Sequence, residues 1–164
     1  MIIEGRAVVI AGDDVDTDVM YPGRYLNVDD PDEMKRYLFE GYDPALREQL
    51  GDDAIIVTGR NFGIGSSREH VPLAMKAWGV RAVVGPSFAR IFRRNCINLG
   101  LPLVEAPDAA AAASSGSRLR IDTETGDVEV DGQQYQAAPV AALVGELQKA
   151  GGLVPWTARR AARR

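Results

Sequence analysis

The sequence of 164 residues contains a single cysteine, Cys96, and a single histidine, His70. One thiol cannot form an internal disulfide, nor supply the several thiolates that usually hold an iron–sulfur cluster or a structural zinc ion. One histidine leaves only His70 for Ser-His-Asp chemistry. We therefore expect this chain to bind no metal and no cluster itself, and we expect Cys96 to be inert core.

Long apolar runs are also missing. No stretch approaches the roughly 18–20 apolar residues that cross a bilayer, and residues 1–6 lack a signal-peptide pattern, so the sequence predicts a cytoplasmic protein without a membrane partner. The formal net charge is −4, although residues 158–164 hold four arginines. An acidic body argues against nucleic acid as a partner, because phosphate binding needs clustered cations.

The composition, 46% apolar and 26% charged, fits one soluble domain that buries a core. We expect residues 1–164 to form a single domain with its core at about 6–150. Residues 151–164 then form a basic C-terminal tail, and a frayed, solvated terminus is the simplest expectation for it. Docking of this tail on an acidic partner surface is the alternative.

Short apolar segments alternate with helical patterns along most of the chain. Strands are predicted at residues 6–12, 54–58, 81–85 and 101–104, and helices after Pro31, at 71–78 and from Ser87 to Gly100. This order predicts a parallel α/β sheet with right-handed crossovers. Residues 119–122 and 127–133 predict an exposed antiparallel hairpin, and residues 142–150 a last amphipathic helix.

Residues 59–69 contain the pattern that points most directly to chemistry. A buried strand ends there, a loop with Gly63 and Gly65 follows, and a helix is expected to begin near Ser66. Ligands of open α/β sheets bind at the carboxyl ends of strands, and the N–H groups at a helix start attract anions. Arg68 adds a planar cation suited to a carboxylate.

A purely structural interpretation of the same residues is also open. Ser66 and Glu69 fit a capping box, in which the serine caps the helix and the glutamate reaches back to it. Ser67 would then be the hydroxyl that turns toward a ligand. No lysine follows the last glycine, so the loop is not a Walker A motif, and Gly63-x-Gly65 alone is a weak dinucleotide signal.

Three segments in order, residues 14–18, 59–70 and 85–95, together resemble the small subunits of isopropylmalate dehydratases and the swivelling domain of aconitases. The resemblance implies a three-layer β/β/α swivelling domain, like the fourth domain of aconitases. It also implies a heteromeric hydro-lyase whose large subunit carries a [4Fe–4S] cluster, with a small hydroxy-acid substrate and no activity for this chain alone.

The resemblance also implies roles for individual residues. Ser66 lies where the family has its catalytic base, and Ser67 and Arg68 contribute oxyanion and carboxylate binding. Asp16, Thr17 and Asp18 would orient the loop and its arginines, although an Asx-turn role is an equal alternative. His70, two positions after Arg68, is expected to serve in packing or at the surface.

One position departs from the family pattern. Where many isopropylmalate dehydratases read Tyr-Leu-Arg-Thr, this chain has Tyr25-Leu26-Asn27-Val28, so a neutral amide replaces a cation that helps to choose the substrate's side group. Arg24 lies nearby and could compensate, so both Arg24 and Asn27 are candidate substrate-binding residues. The leading substrate is isopropylmalate of leucine biosynthesis, and homoaconitate and 2,3-dimethylmalate remain alternatives.

Two other classes of function compete with the hydro-lyase. A non-catalytic module could use the same helix start to bind an anion such as phosphate or a citrate-like acid. A nucleotide-binding domain is a weaker alternative, since the phosphate-binding lysine is missing.

Overall fold

A mixed sheet of seven strands forms the framework in the computed structural model, which describes residues 1–162. The strands are β1 Ile2–Ile10, β2 Ala54–Thr58, β3 Ala82–Gly85, β4 Leu103–Glu105, β5 Arg118–Asp122, β6 Asp127–Val130 and β7 Gln133–Gln136. Their order is β4-β3-β2-β1-β5-β6-β7, with β1 to β4 parallel and β5 to β7 antiparallel. The predicted parallel core and the hairpin are confirmed.

Seven α-helices connect or flank these strands in the described part of the chain, together with three short 3-10 helices, Gly23–Tyr25, Lys35–Tyr37 and Pro44–Gln49. The α-helices are α1 Thr17–Met20, α2 Pro31–Met34, α3 His70–Ala77, α4 Arg90–Leu99, α5 Pro107–Ala112, α6 Ala142–Ala150 and α7 Leu153–Ala161. The carboxylates of Asp16 and Asp30 cap α1 and α2, and Pro31 occupies the first turn of α2, where its missing N–H costs nothing. Among these helices, α4 and α6 end at left-handed glycines, Gly100 and Gly151.

Two apolar cores lie on opposite faces of the parallel strands. On one face, Val8, Ile56 and Val83 pack against the helices through residues such as Met75 and Phe92. On the other face, Ile55, Val84 and Val104 share a core with Leu119 and Val128 of the antiparallel strands. The sheet therefore folds back over itself, and the expected β/β/α layering is confirmed.

Several local predictions are wrong. The structure starts α3 at His70 with Glu69 at its cap position, and no side chain caps it, so Ser66 and Glu69 do not form a capping box. The helix predicted from Ser87 begins only at Arg90, and the Oγ of Ser87 does not cap it but accepts the N–H of Asn61. In both cases a contact between distant segments replaces the local one.

Three elements differ from the expected loops and termini. Thr17 and Asp18, expected in a loop, begin the one-turn helix α1, and β7 extends the hairpin to a third strand. Residues 153–161 of the expected frayed tail form α7, which packs against α6 and α4. Arg163 and Arg164, also part of that predicted tail, lie outside the described residues.

Candidate active site

The loops that follow β1 and β2 are joined by hydrogen bonds at the carboxyl edge of the sheet. The N–H of Gly63 donates to the carbonyl of Val15 over 2.9 Å, and the N–H of Thr17 donates to the carbonyl of Ile64 over 2.8 Å. The buried Thr17 hydroxyl donates to the carbonyl of Ser66 over 3.1 Å. Two segments almost fifty residues apart in sequence are thereby held as one unit.

Gly63 and Gly65 make this close approach possible. Both have positive φ angles, +86° and +99°, which residues other than glycine rarely adopt. A Cβ on Gly63 would lie 2.3 Å from the ring of Phe92, and one on Gly65 would lie 2.2 Å from Oδ1 of Asp16. The two glycines thus let the backbone pack closely against α4 and against the Asp16 carboxylate.

Asp18 connects the first loop to the residues predicted as catalytic. The Ser66 hydroxyl donates to Oδ1 of Asp18 over 2.8 Å, and Nη1 of Arg68 lies 3.3 Å from the same oxygen. Asp16 caps the N-terminus of α1, where its carboxylate accepts the N–H of Asp18 over 2.7 Å. One carboxylate oxygen therefore orients both the hydroxyl and the cation.

Arg68 is largely enclosed, with 18% of its side chain exposed. Its Nη1 also donates to the carbonyl of Tyr21 over 2.9 Å, and Nη2 lies where a Cβ on Gly23 would be 3.3 Å away. Neither Nε nor Nη2 has a hydrogen-bond acceptor within residues 1–162. The guanidinium is fixed through one nitrogen and keeps donors for an anion.

Ser66 and Ser67 are both exposed on an open depression of the surface. The residues that line it are Leu26, Ser66, Ser67, Arg68, Glu69 and His70. The backbone N–H groups of Ser66, Ser67 and Arg68 have no acceptor in the described part of the chain. Hydroxyls, free N–H groups and a guanidinium at one surface form a site suited to an anionic ligand.

The loop after α1 supplies the wall opposite the serines. Leu26 lines the depression with 40% of its surface exposed, and it was not predicted as a site residue. Arg24 stacks on the ring of Tyr25 at 4.7 Å and does not line the depression, and neither does Asn27, which is exposed beside Leu26. The structure brings Ser66, Ser67 and Arg68 together with Asp18, and leaves Arg24 and Asn27 at the margin.

A second set of polar contacts anchors the base of the same loops. The carboxylate of Asp13 accepts the backbone N–H of Arg60 over 2.7 Å and also pairs with its guanidinium. These hydrogen bonds hold the pKa of Asp13 below its ordinary value. Asp14 accepts the side-chain amide of Asn61 over 2.7 Å. Both acidic residues therefore serve the loop framework.

Within residues 1–162, no group of three or more histidine, cysteine or acidic side chains is arranged to hold a metal ion. Cys96 is fully buried, and burial raises the pKa of its thiol, so it is not available as a thiolate ligand. The described residues therefore do not fit an iron–sulfur cluster. In the same residues, no helix has the length and apolar content needed to cross a membrane.

The combination of a folded-back sheet, joined loops and a serine–arginine depression defines a swivelling domain of the aconitase type. The family model for the aconitase C-terminal domain matches residues 8–108. The chain also aligns over almost its whole length with curated relatives, and it belongs to the family of 3-isopropylmalate dehydratase small subunits.

Three relatives illustrate this membership. The 3-isopropylmalate dehydratase small subunit of Moorella thermoacetica is 48% identical over 162 residues, which cover 98% of this chain and 97% of the relative. Small subunit 1 of Methanopyrus kandleri is 46% identical over 164 residues, 99% of this chain and 96% of the relative. The crystal structure of 3-isopropylmalate dehydratase from Methanocaldococcus jannaschii superposes with a TM-score of 0.91 at 38% identity, covering 99% of this chain and 96% of that one.

Proposed function

We propose that this chain is the small subunit of a two-subunit hydro-lyase that interconverts 2- and 3-isopropylmalate in leucine biosynthesis. The observation that carries the proposal is the exposed Ser66 hydroxyl, held by Asp18 and placed beside Arg68 in an open depression. The names of the relatives point to the same activity.

In this proposal Ser66 exchanges the proton on the carbon next to a substrate carboxylate. A neutral serine hydroxyl is a weak base, so Ser66 must act as the alkoxide, whose negative charge has to be stabilised by nearby donors. The free N–H groups of Ser67 and Arg68 and the guanidinium of Arg68 are such donors. Asp18, which accepts the hydroxyl hydrogen in a hydrogen bond of 2.8 Å, takes this proton when the alkoxide forms and orients the Ser66 oxygen.

Arg68 and Ser67 bind the substrate carboxylate in the same proposal. The free Nε and Nη2 of Arg68 supply a planar pair of donors that fits two carboxylate oxygens. The pairing of Nη1 with Asp18 keeps this cation in one orientation, so little side-chain entropy is lost on binding. Ser67, exposed next to it, adds a hydroxyl donor.

A large subunit would complete the site. The hydroxyl that leaves the substrate needs an electrophile, and a [4Fe–4S] cluster on the large subunit would supply a Lewis acid for it. This chain offers no ligand set for such a cluster, since its one thiol is buried. We therefore assign the cluster to the partner and expect the isolated chain to be inactive.

The wall of the depression favours an apolar substrate side group. Leu26 lines the depression, whereas Asn27 is neutral and Arg24 stacks on Tyr25. An isopropyl group would lose contact with water against Leu26, while the distal carboxylate of homoaconitate would find only Arg68 among the lining residues, and that cation already binds the first carboxylate. Homoaconitate and 2,3-dimethylmalate remain the alternatives to be compared in one substrate panel.

Mixing the purified chain with a 3-isopropylmalate dehydratase large subunit tests the proposal. We expect an activity that neither subunit has alone. It can be measured through the ultraviolet absorbance of the unsaturated intermediate. Ser66→Ala should lower kcat by about 10²- to 10⁴-fold, as expected for the loss of a proton-transfer group. Ser67→Ala, at the adjacent exposed serine, should act mainly through KM.

A non-catalytic anion-binding module predicts a different result. In that case no hydroxy acid is turned over after mixing, while phosphate or citrate raises the melting temperature of the isolated chain. An equal rate for wild type and Ser66→Ala would rule out the proton-transfer role.

A further inference from the structure

His70 connects the start of α3 to the loop that carries Leu26. Its Nε2 lies 3.1 Å from the carbonyl oxygen of Leu26, and its ring packs against the buried ring of Tyr21 with centroids 5.0 Å apart. We propose that His70 is a positioning residue for substrate recognition, which holds Leu26 in the wall of the depression. This inference rests on the proposed function.

The hydrogen bond fixes which nitrogen of the ring carries the hydrogen. A carbonyl oxygen only accepts, so Nε2 must be the donor in its contact with Leu26. Nδ1 is buried and has no hydrogen-bond partner within residues 1–162, so no neighbouring group competes for the opposite tautomer. In its neutral form, His70 is therefore expected as the Nε2–H tautomer.

The same short segment holds both ends of the loop. Arg68 donates to the carbonyl of Tyr21, and His70 donates to the carbonyl of Leu26, five residues further on. Within the loop, the Tyr21 hydroxyl donates to the carbonyl of Tyr25 over 3.1 Å. Arg68 has a direct role in ligand binding, and His70 also lines the depression, so a direct contact of its ring with substrate has to be separated from its hold on Leu26.

The position of Leu26 gives the hydrogen bond a functional consequence. The Leu26 side chain is part of the depression, but its neighbours in the loop, Tyr25 and Asn27, do not line it. Without the His70 contact, the Leu26 carbonyl has no other donor in the described residues. The loop would then sample positions in which the apolar wall is missing, and ordering it would weaken substrate binding.

Two variants of similar polarity separate the hydrogen bond from packing. In His70→Gln the side-chain amide reaches about as far as Nε2 and can still donate to the Leu26 carbonyl. In His70→Asn the amide is one methylene shorter and falls short of it. We expect His70→Asn to raise KM for isopropylmalate by about fivefold to tenfold with kcat changed less than about twofold, and His70→Gln to recover most of that loss.

A substrate analogue without the isopropyl group provides the matched comparison. Its KM should be nearly equal in wild type, His70→Gln and His70→Asn, because it makes no contact with Leu26. If both substrates lose affinity equally, or if His70→Asn behaves like wild type, the positioning role is overturned.

An independent measurement on the isolated wild-type chain uses the fact that His70 is the only histidine. A long-range ¹H–¹⁵N correlation spectrum then contains a single imidazole, and at a pH where the ring is neutral we expect the pattern of the Nε2–H tautomer. An Nδ1–H pattern, or rapid averaging of the two, would overturn the inference. Absence of isopropylmalate turnover by the wild-type pair would refute the proposed function, while the spectrum still decides the contact.

Discussion

The hydroxyl of Ser66 and the carboxylate of Asp18 form a 2.8 Å hydrogen bond between two loops that are far apart in sequence. Asp18 lies in the first turn of α1, and Ser66 lies in the irregular segment before α3. Since Arg68 pairs with the same oxygen of Asp18, the position of this carboxylate controls the geometry of the whole depression.

Replacement of Asp18 by asparagine tests that control. The amide oxygen in Asp18→Asn could still accept the hydroxyl hydrogen, but the neutral side chain would not hold the guanidinium of Arg68 by charge. We expect kcat of the reconstituted enzyme to fall about 10- to 100-fold, with the free energy of unfolding changed by less than about 1 kcal/mol because the pair is partly exposed. Asp14→Asn, which affects only the contact with Asn61, is the control and should stay close to wild type in activity.

Gly65 is expected to tolerate no side chain. In Gly65→Ala the added methyl group would lie 2.2 Å from the Asp16 carboxylate. The alanine would also have to keep the positive φ of +99°. Gly12→Ala is a matched control, since its φ is +92° and nothing lies within 4 Å of the added Cβ. Chemical denaturation should show a loss of about 1–2 kcal/mol for Gly12→Ala and a clearly larger loss for Gly65→Ala. Equal losses would mean that the Asp16 contact relaxes freely.

Lys76 stabilises the ends of two helices. Its half-buried amino group donates to the carbonyl of Leu99 at the end of α4 and, over 3.2 Å, to the carbonyl of Gly151 just after α6. Lys76→Met keeps the apolar stem and removes both hydrogen bonds. Thermal unfolding should reveal a loss of about 1–2 kcal/mol, and a clearly smaller loss for the exposed Lys149→Met.

The acid side of the stability profile should depend on Glu124. Its carboxylate lies 2.9 Å from Nζ of Lys149 and 2.9 Å from the amino group of Met1, and these two cations lower its pKa to about 2. A carboxyl whose pKa is lowered by folding stabilises the folded state above its ordinary pKa, here 4.5, and loses that contribution as the pH falls toward 2.

The difference in unfolding free energy between wild type and Glu124→Gln should therefore be constant near neutral pH and shrink below pH 4.5. High salt should reduce it at every pH because the group is exposed. In a Lys149→Gln background the difference should be smaller from the start. A difference that grows on acidification would contradict the assignment.

The sequence predicted the parallel strands well because their apolar runs, such as residues 54–58, are buried on both faces. The alternative of a capping box at Ser66 and the predicted helix start at Ser87 are not realised, because both were based on local patterns, whereas the hydroxyls of these serines bond to Asp18 and to the N–H of Asn61 in distant segments. Strand β7 was missed because Gln133–Gln136 has one apolar side chain, so no alternation is visible. Helix α7 was missed because its arginines suggested a solvated tail.

For the candidate site, the sequence identified Ser66, Ser67 and Arg68 as neighbours because they follow one another in the chain. It named Asp18 only as support for the loop, and it did not identify Leu26 at all. Asp18 contacts Ser66 and Leu26 contacts His70, in each case between segments more than forty residues apart, for which a single sequence contains no signal. Arg24, named as a residue that could compensate for Asn27, stacks on the ring of Tyr25, and its role in substrate binding stays a prediction.

The depression beside Ser66 is lined by only six residues and is open to the surrounding solvent. A small ligand bound there would keep most of its surface in water. A second molecule would therefore be needed to cover the depression and exclude bulk solvent. Turnover would then scale with the number of assembled pairs. When an extract is diluted, the rate should fall by a larger factor than the protein concentration does. Addition of an excess of the scarcer subunit should restore the rate.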